Sequence, residues 1–107
     1  MQMVHDLNES ATFVVDGNTL SIAGEIDVAV VDEFGGAMRS LIEANPGVEV
    51  CLDLRDVNFI DSSGLGVLVG ANKQASASGT TIRLDHVQAS PAKVFEITGL
   101  QSTFGLD

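Results

Sequence analysis

Two hydroxyls and a carboxylate lie together in the middle of the chain, in the run Asp61-Ser62-Ser63-Gly64-Leu65-Gly66. The run joins a strand-rich segment to a segment with helical spacing, so we expect a helix to start here. Serine and aspartate oxygens accept hydrogen bonds from the unpaired N–H groups of a helix start, which also attracts anions because of its partial positive charge. Ser62 is therefore either a helix cap or a hydroxyl on which an added phosphate is tolerated.

The composition argues against several classes of partner. Among 107 residues, 15 are acidic and 5 are Lys or Arg, which gives a formal charge of −10 and repels nucleic acids and acidic membranes. Cys51 is alone in the apolar run 48–54, which favours a buried thiol and excludes an internal disulfide. No apolar stretch approaches the ~20 residues of a membrane span. Residues 1–6 also lack the features of a signal peptide, so we expect a cytoplasmic protein.

Apolar spacing and turn residues predict the element order β-β-α-β-α-β-α. Strands over residues 12–15 and 19–22 flank Asp16-Gly17-Asn18, a strong hairpin signal. The later elements are a helix over residues 30–44, a strand over 48–54, a helix over 63–78, a strand over 80–84 and a helix over 91–98. Strand–helix–strand units pair in parallel with right-handed crossovers. We therefore predict a single small α/β domain over residues 1–107, with a mixed, mostly parallel sheet and an antiparallel N-terminal hairpin packed against helices.

The helix predicted over residues 30–44 carries apolar side chains that we expect to face the core, namely Phe34, Met38, Leu41 and Ile42. Gly35-Gly36 weakens this helix by up to ~1 kcal/mol per residue relative to alanine, so we expect it to be irregular. Residues 24–27, Gly-Glu-Ile-Asp, follow the second predicted strand. Their carboxylates either cap the next helix or add negative charge to a recognition surface, and we favour the cap.

The helix predicted over residues 63–78 has two distinct faces at about 100° per residue. The stripe expected to pack on the sheet consists of Gly64, Leu65, Leu68, Ala71, Asn72 and Ala75. The opposite, outward side carries Gly66, Gly70, Lys73 and Ala77, with Val67 and Val69 as partly exposed apolar flanks. Two outward glycines disfavour a helix. They are either a low strip that lets a partner's backbone approach closely, or are merely tolerated.

Two kinds of chemistry fit the sequence poorly. Gly64-Leu65-Gly66 followed by Gly70, with Asp85 further on, invites comparison with a dinucleotide fingerprint. However, the third glycine is one position late, and six residues separate the predicted strand end at residue 54 from Asp61. A serine hydrolase needs a base beside its nucleophile, but His5 and His86 are not fixed next to Ser62 by sequence. The scattered His, Cys and acidic residues follow no metal-ligand pattern, so we expect no metal or cofactor.

Three segments together resemble the STAS-domain anti-sigma factor antagonists of bacteria. They are residues 24–27 (Gly-Glu-Ile-Asp), residues 57–66 (Val-Asn-Phe-Ile-Asp-Ser-Ser-Gly-Leu-Gly) and residues 94–100 (Val-Phe-Glu-Ile-Thr-Gly-Leu), with Phe104 close behind. The segments occur in the family's order and span most of the chain. The first helix departs from the family because Val30-Val31 and Gly35-Gly36 replace more helix-favouring residues.

The resemblance implies a regulatory binding protein and not an enzyme. Such a protein in its unmodified form binds an anti-sigma factor, a serine kinase with a histidine-kinase-like ATPase fold, and so releases a sigma factor. The kinase phosphorylates the first serine of the motif, here Ser62, with Ser63 as the adjacent alternative and a possible helix cap; a serine phosphatase reverses the reaction. The expected partner contacts are Asp27, Asp61, Ser62, Ser63, Gly64, Gly66, Val67, Val69, Gly70 and Lys73. The alternatives are a STAS interaction subunit that is never phosphorylated and a nucleotide-binding protein.

Overall fold

In the computed structural model, which describes residues 10–106, four strands form one sheet and helices connect or follow them. The strands are β1 (Ala11–Asp16), β2 (Thr19–Ile26), β3 (Val50–Ile60) and β4 (Ile82–Asp85). The helices are α1 (Val31–Ala44), α2 (Ser62–Ala77) and α3 (Ala89–Thr98), with a 3-10 turn over Val28–Val30 just before α1. This element order confirms the predicted β-β-α-β-α-β-α arrangement. The predictions for His5 and for the start of the chain lie outside the described residues.

The sheet has the strand order β1-β2-β3-β4 and is mixed. β1 pairs antiparallel with β2 through a tight hairpin in which Asp16 lies opposite Thr19 and Gly17 has a φ of +63°. β2 pairs in parallel with β3, and β3 in parallel with β4. The helices α1 and α2 supply the crossovers that parallel neighbours require. The predicted fold class and hairpin are therefore confirmed.

Both central strands extend beyond the ends that the sequence predicts. β3 continues to Ile60, six residues past its predicted end, and β2 continues to Ile26, so Gly24 and Glu25 lie within the strand and do not follow it. The cause is irregular pairing, since the β2–β3 register shifts between Ser21 and Ala23 and again between Gly24 and Glu25. Bulges of this kind break the two-residue alternation on which strand prediction depends. The predicted end of each strand was wrong for this reason.

One continuous core joins the inner face of the sheet to all three helices. Alternate strand residues are buried, for example Leu20 and Ile22 on β2, while the intervening Ser21 is exposed. α1 contributes its predicted apolar set of Phe34, Met38, Leu41 and Ile42, all buried. Gly35-Gly36 does not interrupt α1, which runs without a break from Val31 to Ala44, so the expected irregularity was wrong.

Candidate functional site

The ends of two adjacent parallel strands bring two aspartates to the same edge of the sheet. Ile26 pairs with Ile60, and the Asp61 N–H donates to the Ile26 carbonyl at 3.1 Å. Asp27 and Asp61 each follow the end of a strand and precede a helical segment. Side chains at the carboxyl edge of parallel strands are well placed for binding, because the loops there are held by the rigid sheet.

Asp61 is the N-cap of α2. Its backbone is extended, and its Oδ1 atom accepts hydrogen bonds from the N–H groups of Ser63 at 2.9 Å and Gly64 at 3.2 Å. Its carbonyl oxygen accepts from the Leu65 N–H at 3.1 Å. A capping carboxylate also interacts favourably with the positive end of the helix dipole. The expectation that Ser63 caps the helix is therefore corrected, because Asp61 holds that position.

Ser62 is the first residue of α2, and its side chain is exposed. Within residues 10–106 the Ser62 hydroxyl makes no hydrogen bond, and Ser63 next to it is half-buried. A hydroxyl that neither caps the helix nor packs in the core is available for an external group. Of the two possibilities for Ser62, the capping role is thus excluded by the position of Asp61.

Asp27 caps the short 3-10 turn, as the sequence favoured. Its Oδ1 accepts from the Ala29 N–H at 3.0 Å, and its Oδ2 accepts from the Ser10 hydroxyl at 2.8 Å. The half-buried carboxylate therefore has a partner on each oxygen. Asp27 fixes the start of the α1 segment next to the start of α2, and it adds its negative charge to the same edge of the sheet.

The two faces of α2 match the prediction, with one correction. The residues expected to face outward, Gly66, Gly70, Lys73 and Ala77, are all exposed, while Val67 and Val69 are half-buried. Gly64 is buried, and a Cβ atom added to it would lie 2.7 Å from Ile26 Cγ2 and 2.9 Å from Ile60 Cγ1. Gly64 is required for α2 to approach the sheet. Its expected role as a partner contact is therefore corrected.

A groove of about 230 Å³ runs between α1 and α2. It is lined by Gly35, Met38 and Arg39 on α1 and by Gly66, Val67, Gly70, Ala71 and Gln74 on α2. Sequence reasoning found the α2 side of this groove and missed the α1 side. The available signal was Gly35-Gly36, a glycine pair in a helix that nevertheless forms without interruption. The outward surface therefore spans two helices.

Comparison with known proteins decides the family. The family model described as "Mlab, STAS domain" matches residues 11–106. The chain belongs to the STAS-domain family. The anti-sigma-B factor antagonist of Bacillus subtilis (strain 168) is 35% identical to it over 82 residues, which cover 77% of this chain and 73% of that relative. The anti-sigma-B factor antagonist of Listeria monocytogenes is 31% identical over 100 residues, which cover 94% of this chain and 84% of that relative.

Several solved structures share the fold of this chain. An anti-sigma factor antagonist from Mycobacterium paratuberculosis superposes with a TM-score of 0.74 at 24% identity, covering 89% of this chain and 83% of that one. The antagonist SpoIIAA in its unphosphorylated form gives a TM-score of 0.70 at 23% identity, covering 86% and 83%. Bacillus SpoIIAA in its phosphorylated form gives 0.55 at 24% identity, covering 86% of each chain. The small α/β fold with a mixed sheet is thus shared with these antagonists.

The STAS fold also bears on the comparison with dinucleotide-binding proteins. β3 ends at Ile60, directly before Asp61, so the objection that six residues separate strand and helix was wrong. The glycines, however, lie within α2 itself and not in the turn that precedes it, where a phosphate-binding loop needs them. The Asp61 carboxylate also already accepts two of the first N–H groups of the helix. The site therefore does not have the geometry of a phosphate-binding turn.

Cys51 lies away from this site, among the residues of β3 and β4 that point away from the core. The thiol is buried, as predicted, and donates to Asp85 Oδ2 at 2.7 Å. Burial, followed by the hydrogen bond to Asp85, raises the pKa of the thiol, which disfavours the reactive thiolate. The hydrogen bond from the Arg83 guanidinium, followed by that from Cys51, lowers the pKa of Asp85. This cluster pairs charges on the sheet surface.

Two further observations concern residues 10–106. No set of three or more His, Cys, Asp and Glu side chains among them is arranged to hold a metal ion. No helix within this part of the chain combines the length and the apolar character needed to cross a bilayer.

Proposed function

We propose that this STAS protein is an anti-sigma factor antagonist controlled by phosphorylation of Ser62. The unmodified protein binds an anti-sigma factor, a serine kinase with a histidine-kinase-like ATPase fold, and releases a sigma factor in the cytoplasm. The kinase transfers phosphate to Ser62, a serine phosphatase removes it, and the chain itself catalyses no reaction. The observation that carries the proposal is the exposed Ser62 hydroxyl at the first position of α2, without a hydrogen bond within residues 10–106.

Relatives of this chain support the regulatory part of the proposal. The curated relatives at 35% and 31% identity are named as anti-sigma-B factor antagonists. The structural neighbour SpoIIAA exists in an unphosphorylated and a phosphorylated form. A protein of the same fold therefore accepts a phosphate, and the exposed Ser62 gives this chain an accessible acceptor.

The proposed partner surface surrounds Ser62 and follows the outer face of α2. Its members are Asp27, Asp61, Ser62, Ser63, Gly66, Val67, Val69, Gly70 and Lys73. Gly66 lies one turn beyond Ser62 on the same side of the helix, and Gly70 one turn further. The absence of side chains at the two glycines leaves room for a partner's backbone next to the hydroxyl.

A phosphate on Ser62 changes this surface mainly through its charge. It adds about −1.5 to −2 charges at neutral pH next to the Asp61 carboxylate. Because Asp61 Oδ1 already accepts from the Ser63 and Gly64 N–H groups, those donors are not available to the phosphate. The phosphate therefore points outward, towards a partner. Like-charge contact at an interface costs several kcal/mol, so the modified form leaves its partner without refolding.

Phosphate mapping tests the acceptor directly. The purified chain is incubated with ATP and candidate kinases of the histidine-kinase-like ATPase fold, and the modified residue is located by mass spectrometry. We expect phosphate on Ser62, no phosphate on the Ser62→Ala variant and unchanged phosphate on Ser63→Ala. Modification of Ser63 alone, or of neither serine by any kinase that binds the chain, contradicts the proposal.

A second candidate function is a STAS interaction subunit that is never phosphorylated. It is favoured by the description of the matching family model, which names Mlab and not an antagonist. Such a subunit binds its partner equally well with Ser62→Ala and Ser62→Asp. The phosphorylation switch predicts that Ser62→Ala binds and Ser62→Asp does not, so this pair of variants separates the two functions.

A further inference from the structure

Four glycines in the interiors of α1 and α2 have no explanation within the chain. They are Gly35, Gly36, Gly66 and Gly70, and a Cβ atom added to any of them meets nothing within 4 Å. None has a positive φ, so no backbone conformation requires glycine there. Each weakens its helix relative to alanine. The chain's own packing therefore does not explain glycine at these positions.

Three of these glycines, Gly35, Gly66 and Gly70, line the groove between α1 and α2, and the groove has an apolar floor. Met38, Val67 and Ala71 form part of the lining and belong to the core or pack against it. The distance between two packed helices depends on the side chains at their contact, so glycines permit an unusually close approach. Glycines along the groove thus leave room for close approach by another helix.

The charged side chains beside the groove indicate which helix would pack there. Of the five Lys and Arg residues, Arg55, Arg83 and Lys93 form ion pairs. Arg39 and Lys73 form none within residues 10–106, although the chain has a charge of −10. Arg39 lines the groove, and Lys73 lies on the outer face of α2.

An exposed carboxylate on α1 matches Arg39. Asp32 precedes Arg39 by seven residues, which is about two helical turns and places both on the same side of α1. Gly35-Gly36 lies midway between them, and Asp32 also forms no ion pair within the described part of the chain. Along this face of α1, an acidic residue, a glycine pair and a basic residue follow one another. The face is therefore complementary in charge to the same face of a second, antiparallel α1.

We propose that two copies of the chain associate through α1, with a two-fold axis passing between Gly35 and Gly36. A two-fold axis relates residues at equal distances on either side of it, so Asp32 of one copy meets Arg39 of the other, twice. A closed two-fold contact uses the same patch on both subunits, and the second copy's α1 lies along the groove. The proposal stands independently of Ser62 phosphorylation. It also predicts that the second copy covers part of the proposed partner surface at Gly66 and Gly70.

Sedimentation equilibrium of the purified chain, from micromolar to millimolar concentration, tests this proposal. We expect the average mass to rise towards that of a dimer. Arg39→Asp places two acidic side chains opposite each other and should weaken association at least tenfold, as should Asp32→Arg with two basic side chains. The double variant with both substitutions restores the opposite pairs and should associate like the unchanged chain.

The controls separate this contact from other effects. Lys93→Asp changes the net charge as much as Arg39→Asp, but lies on α3 in an ion pair with Glu96, so it should leave association unchanged. Residues seven positions apart in a helix lie about 10 Å apart along its axis. The two substituted side chains of the double variant therefore cannot pair with each other in one helix, and rescue requires contact between two copies. Gly36→Leu, whose Cβ atom meets nothing within 4 Å in the monomer, should remain folded by circular dichroism and lose association.

Three results overturn the proposal. They are a monomer at every concentration, single charge reversals that associate normally, and a double variant that stays monomeric while both single variants are folded. If a charge variant fails to fold, the association of Gly36→Leu tests the contact instead. Normal association of Gly36→Leu contradicts the proposed contact. None of these results affects the proposal for Ser62, which is tested by phosphate mapping.

Discussion

Gly64 on the inner face of α2 and Gly70 on its outer face differ in their surroundings. A side chain at Gly64 would run into Ile26 and Ile60, whereas one at Gly70 would meet open space. The inner glycine lets the helix lie close to the sheet, whereas no neighbouring atom requires a glycine at the outer position. The same residue type in one helix thus has an internal structural role on one side and, we propose, a role in binding on the other.

The largest effect is expected at the outer face, where the change should not affect folding. Ser62→Asp places a carboxylate where a partner meets a hydroxyl, and like-charge contact at an interface costs several kcal/mol. We expect at least a hundredfold loss of affinity for the anti-sigma kinase, since each ~1.4 kcal/mol is tenfold, measured by calorimetric titration. Ser62→Ala is the control that should retain binding. A large fall in the melting temperature of Ser62→Asp would contradict the separation of the two faces.

Substitution of Gly64 on the inner face of α2 should lower the stability of the fold. Gly64→Ala forces its methyl group against Ile26 Cγ2 and Ile60 Cγ1, at separations of 2.7 and 2.9 Å before relaxation. Overpacking of this kind typically costs ~1–3 kcal/mol. Urea denaturation should therefore show a lower free energy of unfolding, although alanine favours helices. A more stable variant would mean that α2 can move away from the sheet without loss.

Asp61 lies where the two faces meet, and its removal should have an intermediate effect. Asp61→Ala leaves the Ser63 and Gly64 N–H groups without their acceptor. Loss of an N-cap costs ~0.5–2 kcal/mol of stability. Asp61→Asn, which keeps a capping oxygen, should lose much less in the same denaturation experiment. Equal losses for the two variants would show that charge, and not the cap, matters here.

Alanine substitution at the outer glycines should change the free energy of unfolding in the opposite direction to Gly64→Ala. Gly70→Ala adds a methyl group in open space and improves helix propensity, so we expect a gain of up to ~1 kcal/mol in the free energy of unfolding. Gly66→Ala should behave in the same way. Destabilisation by either substitution would indicate an internal contact at the outer face and would remove the contrast with Gly64.

The smallest effect is expected far from α2, in the acid range. The Arg83 guanidinium, followed by the Cys51 thiol, holds the pKa of Asp85 below its usual value. This stabilisation is present above the unfolded pKa of about 4 and is lost as pH falls through the folded pKa. Asp85→Asn should therefore cost ~0.2–1 kcal/mol near neutral pH, as for an exposed ion pair, and progressively less below pH ~4.

A titration of stability against pH checks this expectation. Asp16→Asn, an exposed change in the hairpin turn, serves as the control. A difference between Asp85→Asn and the unchanged chain that grows as pH falls would have the wrong sign. Neither variant should change binding at the outer face of α2.

Much of the fold follows from local patterns in the sequence. The hairpin at Asp16-Gly17-Asn18 and the buried face of α1 were both predicted, because turn chemistry and helical spacing are encoded over a few residues. The ends of β2 and β3 were missed, because bulges set by strand pairing interrupt the alternation. The residue that caps α2 could not be chosen, since Asp61, Ser62 and Ser63 are all good capping residues.

The candidate site was predicted only in part. The outward face of α2 was predicted from its angular spacing, but the groove depends on which helix packs beside it, a tertiary fact that Gly35-Gly36 alone did not reveal. The roles of Ser62 and Lys73 in binding, and the extent of the domain over residues 1–107, stay predictions. Binding depends on the surface of a partner, which the sequence of this chain does not encode.

Gly24 has a practical consequence for experiments on this protein. With a φ of +114°, it lets the backbone of Ser10 pass so close that a Cβ atom there would overlap the Ser10 carbonyl. Ser10 also accepts from the Glu25 N–H at 2.9 Å and donates its hydroxyl to Asp27. Ser10 is thus held by these two hydrogen bonds at the edge of the sheet that carries the site. Truncations that remove Ser10, or affinity tags fused directly to it, should loosen Asp27 and distort binding measurements.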